Sequence, residues 1–224
     1  MSASPQEILI IDNNEELIDV RLSGGIHYGP PPECPETEQD YCLIRIGVYQ
    51  RLLQVQSSLP TGLFLRLYEG LRSLSVQSQL FDEELNRVRQ RFPSFSDSDI
   101  HIETEKLVSS VRNHDGSINI PPHSTGGAVD VEIIDESGRA IDFGMEIKDW
   151  VNVAPELITP KPIGLSVQAA KNRLLLVTKM QESGFVLYEH EWWHFSYGDR
   201  YWAKKTGASH AIYGACINLT NTVS

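Results

Sequence analysis

The run FVLYEHEWWHFSY, Phe185 to Tyr197, leaves this chain little choice of backbone. Phe185, Val186, Tyr188, Trp192, Trp193, Phe195 and Tyr197 are aromatic or β-branched and Gly184 and Gly198 bracket the run, so extended structure is expected and helix is disfavoured. The same run contains H-E-x-x-H, with His190, Glu191 and His194. That pattern chelates zinc only on a helix, where i and i+4 stack on one face and both imidazoles reach one ion. A strand leaves Glu191 and His194 as the working pair and His190 as a bystander.

The search for a third ligand points the same way. The extended helical pattern places a Gly and a His at fixed short offsets after the second His, but Tyr197 and Tyr201 stand three and seven residues beyond His194. No Glu follows Glu191, and the only later acid is Asp199; His210 could serve only by improvisation. Upstream, PPHSTGGAVDVEI holds His123 and Asp130, with Gly126 and Gly127 between them to turn the chain from loop into strand. Two neutral imidazoles and a carboxylate leave one position of a tetrahedral zinc open, as a catalytic site requires.

Composition narrows the partners. A net charge of −11 without a basic cluster argues against nucleic acid or an anionic membrane surface, both held first by Lys and Arg. The N-terminus lacks a basic head followed by a long apolar run, and no apolar stretch approaches about 20 residues, so a cytoplasmic protein is expected. Cys34, Cys42 and Cys216 form an odd set without C-x-x-C, which suggests free thiols rather than disulfides or a thiolate zinc site. Oligomeric state is not legible.

Along the chain, Ser23 to Asp40 reads as a Gly/Pro-rich surface loop. Helices are predicted from Ile46 to Leu59, ended by Pro60, from about Leu74 to Phe92, and from about Asp99 to Asn113. A fourth has Val167, Ala170, Leu174, Val177 and Met180 on one side and Gly184 past its end. Strands are predicted at Leu63 to Tyr68, in GGAVDVEIID with AIDFG as hairpin partner, in FVLYEHEWWHFSY and in SHAIYGACINL. The expected architecture is one α+β domain over residues 1–224, a mainly antiparallel sheet flanked by helices.

These residues resemble the zinc D-alanyl-D-alanine dipeptidases of the vancomycin-resistance type, relatives of the D,D-carboxypeptidases and of the hedgehog signalling domain. The family pattern is S-x-H-x-x-G-x-A-x-D followed downstream by E-W-W-H-F; this chain has PPHSTGGAVD and EWWHFSYGD. The likeness extends to YCLIRIGVYQRL and IIDESGRAIDFG, and covers most of the chain from about Asp19 to Tyr213. It implies that His123, Asp130 and His194 bind one zinc ion and that Glu191 is the catalytic base. It also implies an arginine after a strand-to-helix turn, in a family segment Y-R-P. Here LYEGLRS supplies Arg72 without the proline, and a solvated first-turn arginine is the alternative reading.

Pro121 stands where the family has a serine that helps hold substrate. The family also has an acid a few residues after the glycine of DFG that meets the substrate ammonium; Glu146 and Asp149 both stand near that place, and neither is assigned to it. Trp192 and Trp193 are expected to pack around the site, and His27, His101, His114 and His210 have no assigned role. The reaction implied is hydrolysis of a small dipeptide, D-Ala-D-Ala in the simplest case, in which Glu191 takes a proton from water and Arg72 faces the oxyanion. A D,D-carboxypeptidase acting on peptidoglycan stems and a non-hydrolytic zinc-binding interaction domain are the competing functions.

Overall fold

A computed structural model describes residues 8–31, 35–112 and 116–216. The elements run β1 Leu17–Asp19, α1 Val20–Ser23, β2 His27–Tyr28, β3 Leu43–Arg45, α2 Ile46–Ser58, β4 Leu63–Glu69, α3 Leu74–Arg91 and α4 Asp97–Thr104. They continue with β5 Ala128–Asp135, α5 Pro155–Ile158, α6 Val167–Glu182, β6 Val186–Leu187, β7 His194–Ser196 and α7 Arg200–Thr206. Five strands form one sheet in the order β2-β4-β5-β7-β6, and β1 and β3 pair separately. Only the β2–β4 contact in the larger sheet is parallel. The α+β architecture with a mainly antiparallel sheet is as expected.

The two faces of β5 do different work. Val129, Val131 and Ile133 lie with Leu65 and Leu67 of β4 in the core, covered by Val48, Leu52 and Val55 of α2 and by Leu176 and Met180 of α6. Alternation sends Asp130 and Glu132 to the other face, where Glu132 pairs with Arg66 of β4 at 2.7 Å. The catalytic candidates belong to that second face.

Several elements differ from the sequence reading. α4 stops at Thr104 rather than Asn113, because Ser and Asn side chains take over the backbone beyond it: Ser110 Oγ donates to Arg112 O at 2.8 Å, and Asn119 Nδ2 to Ser110 O at 2.7 Å. AIDFG supplies a short return, with a bridge from Ile134 to Ala140, and no full strand. FVLYEHEWWHFSY is a hairpin rather than one strand: β6 pairs with β7, and Glu191 sits in the connection.

RYWAKKT forms α7, capped by Asp199, whose carboxylate accepts from Trp202 N at 2.8 Å, and ended by Gly207 at φ +75°. Among the described residues, SHAIYGACINL holds only a parallel bridge between Ile10 and Ala211; its last residues, like Cys34 and His114, lie outside them. The buried face of α6 is also other than expected. Val167 and Leu174 are exposed, and Ala169, Asn172, Arg173, Leu176 and Met180 point inward.

Candidate active site

His123 lies in the 3-10 turn Pro122–Thr125, which Gly126 closes in the left-handed region at φ +68° with its N–H on His123 O. Two residues on, β5 begins and carries Asp130 to the cavity face. Asp130 is the register partner of His194 on β7, so strand pairing alone sets those side chains side by side. All three are buried.

Their polar atoms converge. His123 Nε2 is 3.0 Å from His194 Nδ1, His194 Nδ1 is 3.1 Å from Asp130 Oδ1, and His123 Nε2 is 3.4 Å from that same oxygen. Ligand atoms each about 2.0–2.1 Å from one tetrahedral zinc stand roughly 3.3 Å apart, which the three measured edges bracket. His123 Nδ1 is 2.7 Å from Gly70 O; as donor there it leaves Nε2 bare, the tautomer that ligates metal. The donor set and its spacing fit one zinc ion.

Glu191 Oε2 lies 3.7 Å from His194 Nδ1, beside this triangle rather than in it. Burial and the neighbouring Asp130 charge push its carboxyl well above the usual range, against the opposing pull of Arg72. Asp130 goes the other way: burial acts to raise it, but His123 and His194 outweigh that and hold it ionised. Two buried carboxyls thus sit side by side with separated affinities for protons.

Arg72 is held from both ends. Its Nε donates to Glu69 Oε1 at 2.8 Å, its Nη2 to Glu69 Oε2, and its Nη1 to Gln77 Oε1 at 3.0 Å. Its backbone N–H reaches His123 O at 3.4 Å, and its carbonyl accepts from Ser124 Oγ at 2.9 Å. It is not the solvated arginine of the alternative reading. Burial acts to lower its pKa, but the Glu69 carboxylate outweighs that and keeps it protonated.

These groups open on one cavity of about 400 Å3, whose walls include Glu69, Pro121, Ile147, Trp150, Tyr188 and Lys204. Trp193 lines it, while Trp192 is fully buried and stacks on Phe143 with ring centroids 4.3 Å apart. His190 is outside the ligand triangle; its ring meets Tyr188 edge-on at 5.3 Å. Neither Glu146 nor Asp149 lines the cavity, and Glu146 pairs with Lys148 at 2.7 Å. The turn that holds them points Ile147 and Trp150 inward instead.

The sequence reading passed over Glu69, Gln77 and Asp199. Asp199 is buried and near enough to His194 for its charge to act on that ring. The signal for Glu69 was present, as E-G-x-R directly after a strand.

Residues 36–211 match the D-ala-D-ala dipeptidase family of peptidases. The chain belongs to this family. It is 27% identical over 228 residues to the D-alanyl-D-alanine dipeptidase of Synechocystis sp., covering 91% of this chain and 90% of that protein. To the D-alanyl-D-alanine dipeptidase of Escherichia coli it is 37% identical over 73 residues, 33% of this chain and 36% of that one. The solved complex of VanYB with D-alanine-D-alanine aligns over 92% of each chain at 15% identity, with a TM-score of 0.49. Membership of the dipeptidase family makes the chain a metallopeptidase. No helix among the described residues is long and apolar enough to cross a membrane.

Proposed function

We propose that this chain is a zinc dipeptidase that hydrolyses D-Ala-D-Ala, with His123, Asp130 and His194 holding the ion, Glu191 as base and Arg72 facing the oxyanion. The observation that carries the reading is the buried triangle of two imidazole nitrogens and one carboxylate oxygen with Glu191 beside it. Family membership and the name of the Synechocystis relative support the substrate. We take residues 1–224 as one domain, since the family match runs over residues 36–211 and the proposed ligands all fall inside it.

Zinc, when bound, supplies a Lewis acid that polarises the scissile carbonyl and lowers the pKa of a water. Glu191 then accepts the proton of the attacking water and returns it to the leaving amine, a role its raised proton affinity suits. Arg72 has two of its five N–H groups unclaimed by Glu69 and Gln77, and these are available to the oxygen that becomes negative. Tyr188, Trp193 and Trp150 bound the cavity and limit water around the reacting groups.

The test is mass-spectrometric screening of the zinc-loaded protein against D-Ala-D-Ala, mixed-chirality dipeptides and stem pentapeptides. Cleavage of free D-Ala-D-Ala ahead of the others is the expected result. Faster trimming of pentapeptides would make the chain a carboxypeptidase, and no cleavage of any substrate would leave a zinc-binding interaction domain.

A further inference from the structure

We infer that Glu69 is a positioning residue for Arg72, aimed by an irregularity in β4. The inference rests on the proposed hydrolytic role of Arg72 and adds a residue to that machinery.

The strand pattern makes Glu69 unexpected where it is. Leu65 and Leu67 point into the core, and a period of two would send Glu69 after them. The β4–β5 register runs regularly to Leu67 opposite Val131 and then shifts, so that Glu69, not Tyr68, stands opposite Asp130. One extra residue in one strand turns the following side chain to the other face. The result is a row across three neighbouring strands, Glu69 on β4, Asp130 on β5 and His194 on β7.

Glu69 is 4% exposed, and both of its carboxylate oxygens accept from Arg72. A side-on pair of this kind fixes the plane of the guanidinium as well as its place. Gln77 completes the fixing, because its Oε1 accepts from Arg72 Nη1 while its Nε2 donates to Ser109 O at 2.8 Å. Glu69 does not belong to the ligand triangle.

Gly70 makes this arrangement possible. A Cβ there would lie 2.6 Å from Leu43 O and from Ile44 Cγ2, so no side chain fits between β4 and β3. Its carbonyl receives His123 Nδ1. The short stretch Glu69 to Arg72 therefore orients both a proposed ligand and the proposed oxyanion partner.

The experiment is a double-mutant cycle of Glu69→Gln and Arg72→Ala in the zinc-loaded full chain, reading zinc content, kcat, KM and affinity for a phosphinate dipeptide analogue. Glu69→Gln should keep full zinc and a KM close to the parent while kcat and analogue affinity both fall about tenfold to a hundredfold, the scale of a misplaced group. In the Arg72→Ala background it should cause no further loss, and Glu69→Asp should recover part of the effect. Parent-level kcat in Glu69→Gln, a loss that adds to that of Arg72→Ala, or a loss of zinc would each overturn the inference. If the parent protein cleaves no dipeptide, the functional reading fails instead, and the cycle in analogue affinity still decides whether Glu69 acts through Arg72.

Discussion

The cavity has two walls that are fastened in different ways. The sheet wall, from β4, β5 and β7, places Glu69, Asp130 and His194 by strand register and locks Arg72 by side-chain bonds. The opposite wall, which brings Ile147 and Trp150 to the cavity, is fastened through main-chain carbonyls. Buried Arg173 donates to Phe143 O at 2.8 Å, Thr159 O at 2.5 Å and Leu157 O at 2.9 Å, Asn172 Nδ2 to Asp142 O at 2.7 Å, and Trp192 N to Ile158 O at 3.0 Å. Charge placement on the first wall depends on which side chains are present. On the second, Ile147 and Trp150 can change without unfastening the segment, because its bonds to Arg173 and Asn172 run through its own carbonyls.

If that contrast holds, substitutions on the sheet wall should damage turnover or metal binding, and those on the opposite wall should change only selection. The largest effect is expected at Glu191→Gln, which keeps size and zinc while removing the proton acceptor. Its kcat should fall by about a thousandfold with unchanged metal content, by steady-state kinetics beside elemental analysis. A variant as active as the parent would remove Glu191 from the mechanism.

Next come the proposed ligands. His123→Ala or Asp130→Ala should lower bound zinc and abolish the rise in melting temperature that zinc gives the parent, whereas His190→Ala should change neither. Acid should act on the same site. Burial would lower the His123 pKa, but Asp130 outweighs it and raises it above 6.5, and a protonated imidazole cannot ligate. Zinc affinity is therefore full above that pKa and drops by roughly tenfold per pH unit below it, with an onset at higher pH than for an ordinary histidine. Titrations showing affinity flat from pH 8 to about pH 5 would contradict the assignment.

The smallest effect belongs to the opposite wall. Trp150→Ala should raise KM for D-Ala-D-Ala by about threefold to tenfold, leave kcat within about twofold, and improve turnover of longer peptides. A collapse of kcat in that variant would show that the two walls are not separable.

The sequence made the sheet wall far more legible than the other. His123, Asp130, Glu191 and His194 are residue types whose spacing carries chemical meaning, and the glycine-bounded β-branched run predicts the strand that brings Asp130 in. Glu69 is marked by E-G-x-R, but its facing depends on a register shift, which an alternating pattern cannot reveal. The α6 face was misread for a different reason. Periodicity counted Val167 and Leu174, but the inward positions include Asn172 and Arg173, whose burial is offset by carbonyls about thirty residues earlier in the chain and near Thr159. α7 was hidden by its aromatic residues, although Asp199 before it and Gly207 after it are ordinary helix start and stop signals.

The row formed by Glu69, Asp130 and His194 also has a consequence in time. Its members come from strands far apart in sequence, and only sheet assembly makes them neighbours. A nascent chain still lacking β7 holds His123 and Asp130 without their third companion, so the proposed ion has no complete seat until long-range pairing is done. Capture of the metal would then close the folding sequence rather than start it.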